Sequence, residues 1–221
     1  MQLKVLDRLR WVKRFLAHAP ASGQVKAELL AKAADSEQSR WNDGDSFSKA
    51  RNAHYTNTPA ELSKALEGDH NFLEAHAPDN VTGLTLKEWL EVGVASGKGL
   101  KLDIKQSAAL SKVIEAVKDA EVPQDRLIIN ADMEFGPGIR HDLKFRIFDK
   151  ISDFKTEVDE MREVRKALPE ATIAVGLYTG TKPAGTVYAP SQIYGAIAIA
   201  QQLGGPITFP LRADFVTKEL V

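Results

Sequence analysis

Apolar and polar positions along this chain fall into short strand-like runs separated by helix-like stripes. Leu3, Leu6, Leu9, Val12, Phe15 and Leu16 recur at helical spacing with basic residues between them, which predicts an N-terminal helix. Within 20–50 one short helical pattern gives way to a Ser/Asp/Asn/Gly stretch that reads as loop. Beyond it the alternation becomes regular. Strands are expected at 52–56, 70–75, 100–105, 126–131, 172–178 and 206–212, and 144–149 reads equally well as a seventh strand or a helix start. The helices between them carry their own signals. Thr58-Pro59 opens one that Gly68 closes, and Thr85 with Glu88 makes a capping box for a helix closed by Gly97. Ser107 and Ser191 are placed to cap two more, the second ended by Gly204-Gly205, and a charged helix runs from about Asp153 to Leu168 before Pro169.

Strand–helix–strand alternation argues for parallel strands joined by right-handed crossovers. The rows within the strands choose between an open sheet and a closed barrel. In LKLDIK, Leu100, Leu102 and Ile104 face one way while Lys101, Asp103 and Lys105 face the other. A sheet covered by helices on both faces would read as a continuous apolar run, and charges under a helix are costly. LIINAD sets Ile128, Asn130 and Asp132 against an apolar row. PITFPLRAD sets Thr208, Pro210, Arg212 and Asp214 against Ile207, Phe209 and Leu211. Polar residues gather toward the C-terminal strand ends, where a parallel barrel builds its site. The expected fold is an α/β, TIM-type (β/α) barrel over 51–221, with residues 1–50 as an N-terminal helical extension. Six clear strands leave the barrel incomplete or irregular.

Composition narrows the chemistry. The 221 residues contain no Cys, which removes disulfide scaffolds, thiolate zinc sites and cysteine nucleophiles. Lys and Arg number 29 against 30 Asp and Glu, so no global field draws the molecule to nucleic acid or an anionic membrane. No window approaches the ~18 apolar residues of a membrane span. The N-terminus is too charged for a secretory leader, and a cytoplasmic protein is expected.

The inward rows supply the candidate chemistry: His54, Glu74, His76, Lys101, Asp103, Lys105, Asn130, Asp132 and Arg212. Glu74 and His76 are two apart, so on an extended strand they point the same way. Carboxylates can hold a hard divalent cation, and fixed positive charges beside it favour a phosphate-bearing ligand. Two imidazoles allow one to act as base and the other as acid. Each has a plainer alternative: His54 in a hydrogen-bonded turn, Lys101, Asp103 and Lys105 as an ion-pair ladder, and Arg212 paired with its neighbour Asp214. His18, His70 and His141 lie in polar, surface-like contexts.

The ordered series AHYTNTPAELSKAL, FLEA, AHAPDN, GLTLKEWLE, GKGLKLDIKQ, INADMEFGP and ITFPLRA resembles the menorin family over roughly residues 52 to 213. His54, Asn57, Glu74, His76, Lys101, Asp103, Lys105, Asn130, Asp132 and Arg212 occupy its motif positions. That family looks like a distant branch of the phospholipase-C-like phosphodiesterases, which include the glycerophosphodiester phosphodiesterases. The resemblance implies catalytic His54 and His76 and a divalent cation, Mg²⁺ or Ca²⁺, on Glu74 and Asp103. It also implies phosphate contacts from Lys101, Lys105, Asn130 and Arg212. One departure stands out: the family carries Glu-x-Asp before a loop and Ala-His-Pro-Pro, whereas here FLEA runs straight into HAPDN, without that second acid.

The function expected is metal-assisted hydrolysis of a small-molecule phosphodiester. Two alternatives fit the same residues: a non-catalytic barrel that binds a ligand or partner protein, and an aldolase- or isomerase-type barrel with Lys101 or Lys105 as Schiff-base amine.

Overall fold

A computed structural model describes residues 23–36, 50–77, 83–105, 107–133, 158–177 and 187–216. The expected helix within 3–16, the polar stretch 37–49 and the 144–149 segment lie outside these residues, as does the start of the charged helix near Asp153. Among the described residues the chain is α/β, with six strands, in sheet order the same as chain order, and six α-helices. It divides into two compact units, 1–129 and 130–221.

The first unit holds α1 (Gly23–Asp35), β1 (Asn52–Ala53), α2 (Pro59–Glu67), β2 (Phe72–Ala77), α3 (Leu86–Ser96), β3 (Gly99–Ile104), α4 (Leu110–Asp119) and the start of β4 (Leu127–Met133). β1 pairs with β2 and β2 with β3, both in parallel. The capping signals at Thr58 and Thr85 are realised in full, each threonine accepting from the amide of the glutamate three residues on while that glutamate accepts from the threonine's amide. Gly97 closes α3 at φ 68°, a left-handed conformation that suits glycine. The cap near Ser107 is different: Ser107–Ala109 form a 3₁₀ turn, and the N-cap position of α4 falls to Ala109.

Close packing explains the fit of helices to strands. Gly99 faces Phe72 across the β2–β3 ladder, and a Cβ on Gly99 would lie 2.2 Å from the phenyl ring. Leu62, Leu66, Trp89, Leu90, Val92, Leu100 and Leu102 are buried around it. α1 docks on α2 and α3. It buries Leu29 and Ala33, pairs Lys26 with Glu91 and Lys32 with Glu67, and sends the Ser36 hydroxyl to the Ser96 carbonyl at 3.1 Å. The short helical pattern expected within 20–50 is thus realised as α1, packed on α2 and α3. Beneath the sheet, Lys98 is fully buried and donates to the His70 carbonyl at 2.5 Å.

The second unit holds the end of β4, α5 (158–167), β5 (Thr172–Leu177), α6 (Pro190–Leu203) and β6 (Ile207–Thr208). Val158, Met161, Val164 and Leu168 form a buried helical stripe, and every residue of β5 is buried. The parallel β5–β6 pair is held at one end by Arg165, whose guanidinium donates to the carbonyls of Pro169, Ala171 and Pro206. α6 begins at Pro190 rather than after Ser191, and the Gln192 side chain accepts from the Ala189 amide. The strand expected over 206–212 is only two residues long. Pro210 cannot donate to a ladder, and Phe209 and Leu211 are exposed rather than forming an apolar row. No helix among the described residues is long and apolar enough to cross a membrane.

Candidate functional site

The site forms where β1 ends. The expected strand over 52–56 stops after Ala53 because Tyr55 takes a positive φ of 62°, which is unfavourable for a bulky side chain and breaks the extended run. The backbone regains β2 afterwards. The Thr56 amide and hydroxyl both donate to the Glu74 carbonyl, at 2.7 and 3.0 Å. The Asn57 side chain then acts as a surrogate strand: its Nδ2 donates to the His76 carbonyl at 2.9 Å and its Oδ1 accepts from the His76 amide at 3.0 Å. Trp89 locks this detour from behind, its indole N–H donating to the Thr56 carbonyl at 2.9 Å and hydroxyl at 3.0 Å. The detour delivers the His54 ring to 5.0 Å from the His76 ring, edge to face, with Tyr55 edge-on to His76 at 5.1 Å.

Strand register supplies the rest. Glu74 lies opposite Lys101 and His76 opposite Asp103. Glu74 is 1% exposed; its Oε2 accepts from Asn52 and its Oε1 lies 3.0 Å from Lys101 Nζ. Asp103 is also buried, with its Oδ2 2.5 Å from Lys105 Nζ. Two buried carboxylates thus each face an ammonium, as such burial requires. His76 Nε2 sits between them, 3.9 Å from Glu74 Oε1 and 3.5 Å from Asp103 Oδ2. Burial holds its pKa below the usual 6.5, with Lys105 and His54 acting the same way and Asp103 and Glu74 opposing. One donor atom from each of His54, Glu74 and His76 lies within 4.8 Å of the other two, a grouping able to hold a metal ion. His54 is the exposed member.

Six of the residues expected from sequence therefore converge: His54, Glu74, His76, Lys101, Asp103 and Lys105. Asn130 and Arg212 belong to the second unit. Asn130 is buried on β4. Arg212 makes a paired contact with Asp214, at 3.0 and 2.5 Å, and lies 4.1 Å over the Phe215 ring, the local pairing foreseen as its plainer alternative. The side chain of Asp132 lies outside the described residues. Sequence reasoning missed Asn52, Tyr55, Thr56 and Trp89. Of these only Trp89 carried a signal, as an aromatic residue on the buried face of a capped helix.

With this geometry in view, comparison with known proteins is decisive at the level of family. The model of the menorin N-terminal domain matches residues 75–221, two thirds of the sequence. The chain belongs to the menorin family. This menorin chain is also 27% identical over 183 residues to the human protein FAM151B, a match covering 74% of the chain and 62% of that relative. The menorin chain thus spans about three fifths of the relative's length. No solved structure matches.

Proposed function

We propose that this protein is a divalent-cation-assisted, phosphodiesterase-like hydrolase of small phosphodiesters. It would be built on a phospholipase-C-like (β/α) barrel over 51–221 with residues 1–50 as extension, and would work in the cytoplasm. The observation that carries the reading is the convergence of His54, Glu74 and His76 within ligand distance of one another, flanked by Asp103, Lys101 and Lys105. Parallel strands in chain order with the cluster at their C-terminal ends support the barrel.

A divalent cation in the cluster supplies Lewis acidity toward a phosphoryl oxygen. The protein's own groups do the remainder. Lys101 and Lys105 offset the negative charge that grows on the phosphate oxygens. His54, at the solvent edge, takes the proton of the attacking water as the new P–O bond forms and returns a proton to the leaving alkoxide as the old bond breaks. Asn57 and Trp89 hold the strand detour, and Asn52 holds the Glu74 carboxylate. The resemblance also assigns phosphate contacts to Asn130 and Arg212, and they keep that role in this reading; both lie in the second unit.

Turnover of bis-p-nitrophenyl phosphate and of glycerophosphodiesters, with and without added divalent ions, tests it. Cation-dependent release of p-nitrophenol or glycerol phosphate is the expected result, abolished by chelation. A second reading, a non-catalytic barrel that binds a ligand or partner, is favoured by one observation: each carboxylate is already paired with a lysine. Stabilisation by a phosphodiester without turnover under any cation would support it.

A further inference from the structure

Resting on the reading of this cluster as a cation-assisted site, we propose that His76 is a cation ligand and that the site selects Zn²⁺ or Co²⁺ over Mg²⁺ and Ca²⁺. β2 presents Glu74 and His76 on one face, and register brings Asp103 beside His76. Three lone-pair-bearing atoms, His76 Nε2, Glu74 Oε1 and Asp103 Oδ2, are brought together with separations of 3.9 and 3.5 Å from the nitrogen. Both are too long for hydrogen bonds. They approach the ~3.3–3.6 Å between neighbouring ligands around a tetrahedral cation with ~2.0–2.2 Å bonds. Octahedral Mg²⁺ bonds of ~2.0–2.1 Å would draw ligands to roughly 2.9 Å, so the spacing discriminates against Mg²⁺, while the case against Ca²⁺ rests on donor type.

The donor types point the same way. An imidazole nitrogen beside the two carboxylates suits borderline transition cations, whereas Mg²⁺ and Ca²⁺ seek all-oxygen shells. Each carboxylate also faces an ammonium, Lys101 on Glu74 and Lys105 on Asp103. A cation that depends on carboxylate charge must compete with both lysines, while one that draws on imidazole lone pairs depends less on that charge.

The test uses the full chain stripped with EDTA and titrated calorimetrically with Zn²⁺, Co²⁺, Mg²⁺ and Ca²⁺. We expect Zn²⁺ and Co²⁺ to bind at least about 100-fold more tightly than Mg²⁺ or Ca²⁺. Zinc-edge X-ray absorption of the wild-type protein should show imidazole scattering, a readout independent of any variant's folding. His76→Asp should weaken Co²⁺ by at least about 100-fold, since outer-shell partners alone are worth about 10–100-fold, and should change its visible ligand-field bands. Tighter binding of Mg²⁺ or Ca²⁺, an all-oxygen shell around zinc, or Co²⁺ bands unchanged in His76→Asp would each overturn the proposal. Zinc binding through imidazole without phosphodiester turnover would overturn the hydrolase reading and leave this one standing. Turnover supported by Mg²⁺ together with preferential Mg²⁺ binding would do the reverse.

Discussion

His54 is the one member of the cluster whose ring stands in solvent, so removing it separates chemistry from stability. His54→Ala is expected to lower phosphodiester turnover by at least about 100-fold, the lower end of what a positioned acid or base contributes. Its melting temperature should stay near that of the parent, because an exposed side chain contributes little to folding. Turnover retained in this variant would remove His54 from the mechanism. At this scale the sequence was informative where periodicity applies. Glu74 and His76 share a face because they are two apart on a strand, and Lys101, Asp103 and Lys105 form the adjacent row for the same reason. It was silent where a side chain does the work of backbone. Nothing in the letters Asn-Ala-His-Tyr-Thr-Asn says that Tyr55 turns left-handed, since Gly or Asn would be the expected residue there, or that the Asn57 amide completes the ladder of β2.

Between elements, the tightest constraint near the site is the contact of β2 with the start of β3. Gly99 lies under the Phe72 ring, so Gly99→Ala should cost about 1–3 kcal/mol through overpacking, measured as a shift in urea midpoint at constant slope. Adding Phe72→Leu, which withdraws the ring, should make the double variant less destabilised than the two single costs combined; strict additivity would mean that the close approach is relieved some other way. Helix boundaries were legible because caps are local chemistry: Thr58, Thr85 and Gly97 act where their spacing put them. Ser107 and Ser191 did not mark the helix starts, because a 3₁₀ turn precedes α4 and Pro190 opens α6. β6 proved shorter than its alternation suggested. Apolar spacing alone does not supply the amide that Pro210 lacks.

For the molecule as a whole, folding stability carries the signature of Lys98. Burial depresses its pKa below the usual 10.5, Arg51 adding to the effect and Asp69 opposing it. Between the folded value and 10.5 the unfolded chain holds a proton that the folded chain has released, so stability rises with pH across that window. Compared with Lys98→Met, the native protein should gain stability as pH approaches 10.5; a difference in urea midpoint that is flat with pH would show that the buried ammonium is not penalised. The alternation of strands and helices, and hence the α/β class, was readable from periodicity, since each crossover needs its own apolar stripe. A fully buried lysine beneath the sheet was not, because a single basic residue between Gly97 and Gly99 looks like a solvated turn. The paired charges at the strand ends have a kinetic corollary. Glu74 and Asp103 against Lys101 and Lys105 sum to zero, so these four groups together exert no long-range pull on an anion. A divalent ion bound there, as proposed, would leave a net surplus of two and begin to attract an anion. On the proposed reading encounter would then have an order, metal first and phosphodiester second, and only the second arrival should slow as ionic strength rises.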